Sequence, residues 1–323
     1  MILCIGEAVI DMFRKNTPEF GEVFYPLPGG SSYNTSIAIG RLGVNVAFLG
    51  RISRNFFGDL QIKRLRENNV NDHFIIHSRK NPILSIIKTE KGKEPQYAFY
   101  DEGTADRNLS AAELPPLPPD VSCIVFGSIS MAMEPIATTI EEFILKESSN
   151  TPTEKELVIA FDPNIRSFLI KDKCHYMKRF EKWVSACTIV KSSFEDFEFL
   201  FPDLKTEDAL YNVLEMGTRL AIVTLGPKGA IALLKRNDGS ITKVHAPGIL
   251  IPVIADTVGA GDTFHGAFLA WLSKTGKMSQ SAIANLSEAD LLEALVFANT
   301  AASLVCKQHG AEPPTMQEIT NSK

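Results

Sequence analysis

The chain has 323 residues, 45% of them hydrophobic and 22% charged, with a formal net charge of −5. That length supports a large α/β domain with a sizeable core. The mild acidity excludes nucleic acid and anionic membrane as partners drawn by bulk charge. The five cysteines (Cys4, Cys123, Cys174, Cys187 and Cys306) are scattered, with no two at metal-ligand spacing. They read as reduced, mostly buried thiols of a cytoplasmic protein.

In chain order, Ile2 to Ile10 is a short apolar run without a basic leader, interrupted by Glu7. It predicts a buried first strand rather than a signal segment. Residues 31–42 follow a Gly-Gly pair and carry Ile37, Ala38 and Leu42 at helical spacing. Val44 to Leu49 predicts a strand, and Phe57 to Asn68 a helix with Leu60, Ile62 and Leu65 as its apolar face. Residues 83–89 and 96–100 flank the polar turn Glu90-Lys91-Gly92-Lys93, a hairpin pattern. Inserted between helical segments, such a hairpin suggests a small β appendage.

From Val121 onward strands and helices alternate. Strands are expected at Val121–Phe126, Leu157–Phe161, Ile189–Val190 and Leu220–Thr224, with helices at 134–147, 173–184, 194–200 and 206–217. This alternation predicts a doubly wound, mainly parallel sheet, whose ligands bind at the C-terminal ends of its strands. Pro115 to Pro119 reads as a linker feeding a strand. No apolar run reaches bilayer-spanning length, so no membrane partner is expected.

The most informative stretch runs Asp256-Thr257-Val258-Gly259-Ala260-Gly261-Asp262, followed by the apolar segment Gly266 to Leu272. A Gly-Ala-Gly turn therefore opens a buried helix. The glycines allow a tight turn, and the first helical N–H groups have no internal partner where the dipole is positive. This is an anion site suited to phosphate. Asp262 has two readings. An aspartate in a first turn is an ordinary cap, whereas a carboxylate beside a phosphate site suits a general base for an attacking hydroxyl. No Walker A pattern is present, and the glycines lie too late in the chain for a dinucleotide fingerprint.

The Asp256–Asp262 stretch resembles the C-terminal signature of the ribokinase-like (PfkB) carbohydrate kinases. Gly29-Gly30-Ser31-Ser32-Tyr33-Asn34, running on to Arg41-Leu42-Gly43, is similar to their N-terminal signature. The likeness extends from Gly6–Asp11 to Gly310–Thr315 and spans nearly the whole chain. It implies a single kinase domain over 1–323. Its fold would be a doubly wound sheet with helices on both faces plus a small β-sheet lid, drawn from about 10–28 and 83–104.

The resemblance implies roles for particular residues. Asp262 would be the base, and the amides of Gly259, Ala260 and Gly261 the anion hole. Asp11, Gly29, Gly30, Asn34, Phe99 and Arg166 would contact the sugar. Lys191, Ser193, Thr224, Gly226, Gly229 and Asn299 would bind nucleotide. Asp196 would hold magnesium through water, and Asp256 would neighbour a monovalent cation. ATP and Mg²⁺, with K⁺ as a further cofactor, and a homodimer through the lid follow from the same likeness. Asn34 also reads as a helix cap, Asp11 as a turn residue and Arg166 as half of a surface ion pair.

Three departures stand out. Ser193-x-x-Asp196 replaces the usual Asn-x-x-Glu, which puts the magnesium contact in question. Ser53, Arg54 and Asn55 stand where the family carries Gly and Asp. Asp101 stands where a basic residue follows the lid aromatic, which argues against a carboxylate-bearing substrate. Phe161-Asp162-Pro163-Asn164-x-Arg166 resembles a segment of fructokinases and 2-keto-3-deoxygluconate kinases. Fructose is therefore the expected sugar, with 2-keto-3-deoxygluconate or another sugar of the family's kinases as the alternative. A catalytically silent sugar-binding protein on the same fold is the non-enzyme alternative, separated by whether ADP forms.

Overall fold

The computed structural model describes residues 1–88, 96–150, 156–308 and 310–322. Strand β1 (Ile2–Ile5) is followed by β2 (Val9–Thr17) and β3 (Gly21–Gly29), helix α1 (Ser31–Arg41), β4 (Val46–Ser53), α2 (Phe56–Glu67) and the short strands β5 (Val70–Asn71) and β6 (Ile75–Ser78). Next come β7 (Leu84–Lys88) and β8 (Gln96–Tyr100), then β9 (Cys123–Gly127), α3 (Ile136–Asn150), β10 (Val158–Asp162), α4 (Lys173–Ala186) and β11 (Ile189–Ser193). The C-terminal part holds α5 (Phe194–Leu200), α6 (Thr206–Glu215), β12 (Leu220–Thr224), β13 (Ala230–Lys235), β14 (Ile241–Ala246), α7 (Ala260–Lys274), α8 (Gln280–Ala284), α9 (Glu288–Val305) and α10 (Met316–Asn321).

The main sheet runs β14-β13-β12-β11-β10-β9-β1-β4-β5, with β6 also paired to β4. It is parallel from β12 through β5, and only β13 runs antiparallel to both its neighbours. Alternate residues of β1 enter opposite cores. Ile2 and Cys4 pack with α1, α7 and α9 on one face, while Leu3 and Ile5 pack with α3, α4 and α6 on the other. This two-sided burial explains why the strands read as continuous apolar runs. The order reverses beside β1, which opens a crevice at the strand C-termini.

The run Ile2–Ile10 is not one strand. Gly6 and Glu7 turn the chain out of the main sheet, and Val9 starts β2 in a separate four-stranded sheet ordered β3-β2-β7-β8. β7 and β8 are antiparallel, with Leu84 opposite Tyr100. The Glu90–Lys93 turn lies outside the described residues. Two buried side chains tie this sheet to the main body. Asp106 accepts from the N–H groups of Ala8 at 3.0 Å and Ile83 at 3.3 Å. Gln61 donates to the carbonyls of Ala8 at 2.6 Å and Val9 at 3.2 Å.

Gln61 also corrects the expected apolar face of α2. Leu60 is exposed, whereas Gln61 and Leu65 are buried. At 53–55, Asn55 caps α2, its Oδ1 accepting from Phe57 N at 3.1 Å and Gly58 N at 3.3 Å. The departure there makes an ordinary N-cap. Among the described residues no helix is long and apolar enough to cross a membrane.

Candidate active site

Helix α7 begins at the strand C-termini, between α1 and α9. Its N-cap, Gly259, has φ 76°, and a Cβ there would lie 2.5 Å from the Ala311 Cβ. Both the left-handed conformation and the close tail require glycine. No side chain caps the helix here, and the Ala260 N–H donates to the Thr257 carbonyl at 3.2 Å.

Asp262 is buried in the first turn. Its Oδ1 accepts from Ser31 Oγ at 2.7 Å and from Asn164 Nδ2 at 3.4 Å, and its Oδ2 from Asn34 Nδ2 at 2.9 Å. Burial raises its pKa above the ordinary carboxylate value, with Ser31 and Asn34 pulling the other way. A carboxylate so placed is a stronger proton acceptor than an exposed one. Asn34 Oδ1 is buried without a protein partner, which leaves an acceptor for a hydroxyl.

Asp11 enters from the four-stranded sheet. Its carboxyl is pushed up to about 6, mainly by burial, against the Ser85 hydroxyl and the Arg166 charge. A Cβ on Gly29 would collide with an Asp11 oxygen, so glycine makes that approach feasible. Gly30, at φ 110°, starts α1 so close that a Cβ would meet the Glu7 carbonyl at 2.6 Å.

Beneath the helix mouth, Lys191 Nζ pairs with Asp162 Oδ2 at 2.8 Å, both groups buried. A Cβ on Gly261 would lie 3.1 Å from that ammonium. Burial opposes the charge on Lys191, but Asp162, Asp196 and Asp262 outweigh it and raise its pKa. His265 lies nearby, its pKa lowered to about 3 by burial and by Lys191, so it is neutral.

On the other side of the helix mouth lies a cleft of about 950 Å³. Arg166, Lys191, Ser193, Asp196, Thr224, Gly226, Gly229, Ala260, Gly261 and Asn299 line it. The geometry is thus a polar corner of Ser31, Asn34, Asn164 and Asp262 and a cleft of about 950 Å³ meeting at one helix N-terminus, with a buried cation beneath.

The pfkB family carbohydrate kinase model matches residues 1–318. The chain belongs to the pfkB family of carbohydrate kinases. It is 36% identical to a fructokinase of Rhizobium leguminosarum bv. trifolii, over 89% of this chain and 84% of that protein. In fold it is similar to the Xylella fastidiosa fructokinase with bound ATP, at TM-score 0.85 and 23% identity, covering 99% of this chain and 97% of that one. It is also similar to the Vibrio cholerae O395 fructokinase in its fructose, ADP and calcium ion bound form, at TM-score 0.82 and 24% identity, covering 99% and 97%.

Several expected site residues of this kinase are engaged in ways the sequence does not reveal. Ser193 and Asp196 form a reciprocal cap of α5. Asp196 Oδ2 accepts from Ser193 N at 2.7 Å and Oδ1 from Ile165 N at 2.7 Å. Arg166 folds back on Asn164 Oδ1 at 2.8 Å. Phe99 packs on Phe168, in the loop after Arg166, with ring centroids 5.4 Å apart. Asn299 donates to the carbonyls of Ala246 and Pro247, where β14 ends. Asp256 accepts from Thr257, Val258 and Gly310 N–H groups, tying the signature loop to the tail. Asp101 pairs with Arg107 at 2.6 Å, so its charge is neutralised within the protein and gives no argument against an acidic substrate.

Sequence reasoning assigned no role to Ser31, Asn164 or Asp162. Asn164 carries a detectable signal, since asparagine tolerates the φ of 36° that aims it at Asp262.

Proposed function

We propose that this kinase transfers the γ-phosphoryl group of ATP to a hydroxyl of free fructose, with Asp262 as general base. The hydroxyl oxygen forms a bond to the γ-phosphorus, the bond from that phosphorus to the β–γ bridging oxygen breaks, and ADP leaves. The proton passes to the Asp262 carboxylate. The observation that carries this reading is the buried Asp262 carboxylate in the first turn of α7, directly beyond the Gly259–Gly261 turn, which no side chain caps. The amides and Lys191 oppose the charge on the moving phosphoryl group. Asp11, Asn34 and Arg166 hold the sugar, with the four-stranded sheet as the lid of the 1–323 domain. The similarity to fructokinases supports fructose over 2-keto-3-deoxygluconate.

The donor set fits magnesium held chiefly by nucleotide phosphates. Among the described residues no three His, Cys, Asp or Glu side chains form a ready metal cage. Each Asp196 oxygen already accepts one backbone N–H group, and contact through water is the part proposed for it. The ion, when bound, neutralises charge on the β- and γ-phosphates. Asp256 shapes the turn beside which a potassium ion would sit. The reading includes a cytoplasmic homodimer joined through the lid.

The test is ADP release with ATP and magnesium across free sugars and sugar acids, for wild type and Asp262→Asn. Fructose turnover is expected, with Asp262→Asn lowering kcat by about 10²–10⁴-fold at unchanged ATP affinity. Near-normal turnover in that variant removes the base assignment. Preference for 2-keto-3-deoxygluconate removes the sugar assignment.

A further inference from the structure

The first helical residue of α1, Ser31, is fixed at both ends. Its backbone N–H donates to Glu7 Oε1 at 2.9 Å, and Glu7 Oε2 accepts from the buried Ser130 hydroxyl. Glu7 is fully buried and cannot swing away. From this anchored backbone, the Ser31 hydroxyl reaches Asp262 Oδ1 at 2.7 Å, across 231 residues of sequence. Each carboxylate oxygen offers two lone-pair sites. Among the described residues, Oδ1 uses them on Ser31 and Asn164, whereas Oδ2 accepts only from Asn34.

We infer that Ser31 is a positioning residue for the base: it ties down Oδ1 so that Oδ2 is the atom that receives the sugar proton. This rests on Asp262 being the base. The Glu7–Ser31 relay makes the β1–β2 turn part of the catalytic alignment, although Glu7 touches no reacting atom. Gly30 is what permits it, because a side chain there would separate α1 from the Glu7 backbone.

Other charges also face Asp262. Asp162 on β10 and Lys191 on β11 act on it in opposite senses, and Glu7 and Asp11 couple to it as like charges. His265, a turn later on α7, is neutral. Ser31 is distinguishable from these because it contributes an uncharged donor to one oxygen. Its loss changes orientation and proton affinity without changing net charge.

The experiment compares Ser31→Ala, Ser31→Thr and Asp262→Asn in the full chain, with kcat, both KM values and the pH profile read by ADP release. Ser31→Ala is expected to lower kcat by about 10- to 100-fold, the range a hydrogen bond to a charged group supplies. KM for ATP should stay within about twofold. The acid limb of kcat should move to higher pH, since a donor favouring the carboxylate is lost. Ser31→Thr, which keeps the hydroxyl, should restore most of the turnover.

Unchanged kcat and acid limb in Ser31→Ala, with Asp262→Asn inactive, overturns the role of Ser31 alone. An active Asp262→Asn overturns the base reading and this inference with it. If Ser31→Ala does not fold, Ser31→Cys, a weaker donor, serves in its place. Intermediate turnover with a shifted acid limb then supports the inference, and wild-type values overturn it.

Discussion

Lys191→Met separates what the buried ion pair does for stability from what it does for chemistry. At the 2.8 Å separation of Lys191 and Asp162, an effective dielectric of about 20 gives a gross attraction of about 6 kcal/mol. Most of it offsets the several kcal/mol of desolvation that each ion suffers. Removing one partner leaves the other unpaired, and among the described residues Asp162 Oδ1 already has no hydrogen-bond partner. A stranded buried carboxylate makes the single variant about 3–5 kcal/mol less stable. In Lys191→Met/Asp162→Leu no charge is stranded, and most of that stability should return, as it does when buried pairs are replaced by apolar groups. Turnover should not return, because the cation beside Gly261 is still missing. Chemical unfolding gives the first quantity and ADP release the second. A Lys191→Met enzyme within about 0.5 kcal/mol of wild type would refute the stability argument. A double variant that regains turnover along with stability would refute the catalytic one.

Asp11 accepts through both carboxyl oxygens only when ionised, and burial pushes its carboxyl up to about 6. KM for the sugar should therefore rise as pH falls through that value, while KM for ATP holds; a sugar KM that is flat from about pH 5 to 8 contradicts its role. On one face of the four-stranded sheet Phe24 is 46% and Tyr100 61% exposed, an apolar surface suited to a second copy. Light scattering at micromolar concentration should give a dimer mass, and Phe24→Glu a monomer mass; a monomeric wild type rejects the interface.

The glycine-opened helix at 259–262 is legible in the sequence because its constraints are local. Turn, N-terminus and carboxylate lie within a few residues. The parallel core is legible from continuous apolar runs. The boundary between β1 and β2 is not, because apolar residues continue on both sides while the chain changes sheets at Gly6–Glu7. Nor is β13, where Ile231 is the one β-branched residue in Ala-Ile-Ala-Leu-Leu-Lys. Only its pairing with β12 and β14 distinguishes strand from helix there. Leu60 and Gln61 exchange their expected places because backbone carbonyls of the lid entry need a buried donor. Ile86 and Phe99 are half-buried, whereas Phe24, Tyr25 and Tyr100 face solvent. Ser31, Asn164 and Asp162 escape sequence reasoning because their partners are distant in the chain.

The strand that builds the appendage is also the strand that carries Asp11, five residues after Gly6 releases the chain from the main sheet. The appendage is therefore not a cover that could be cut away from a self-sufficient catalyst. Under the proposed function, shortening it toward its root would remove a carboxylate that holds the acceptor. Under that same proposal, capture of the acceptor and the root of its cover share the single strand β2.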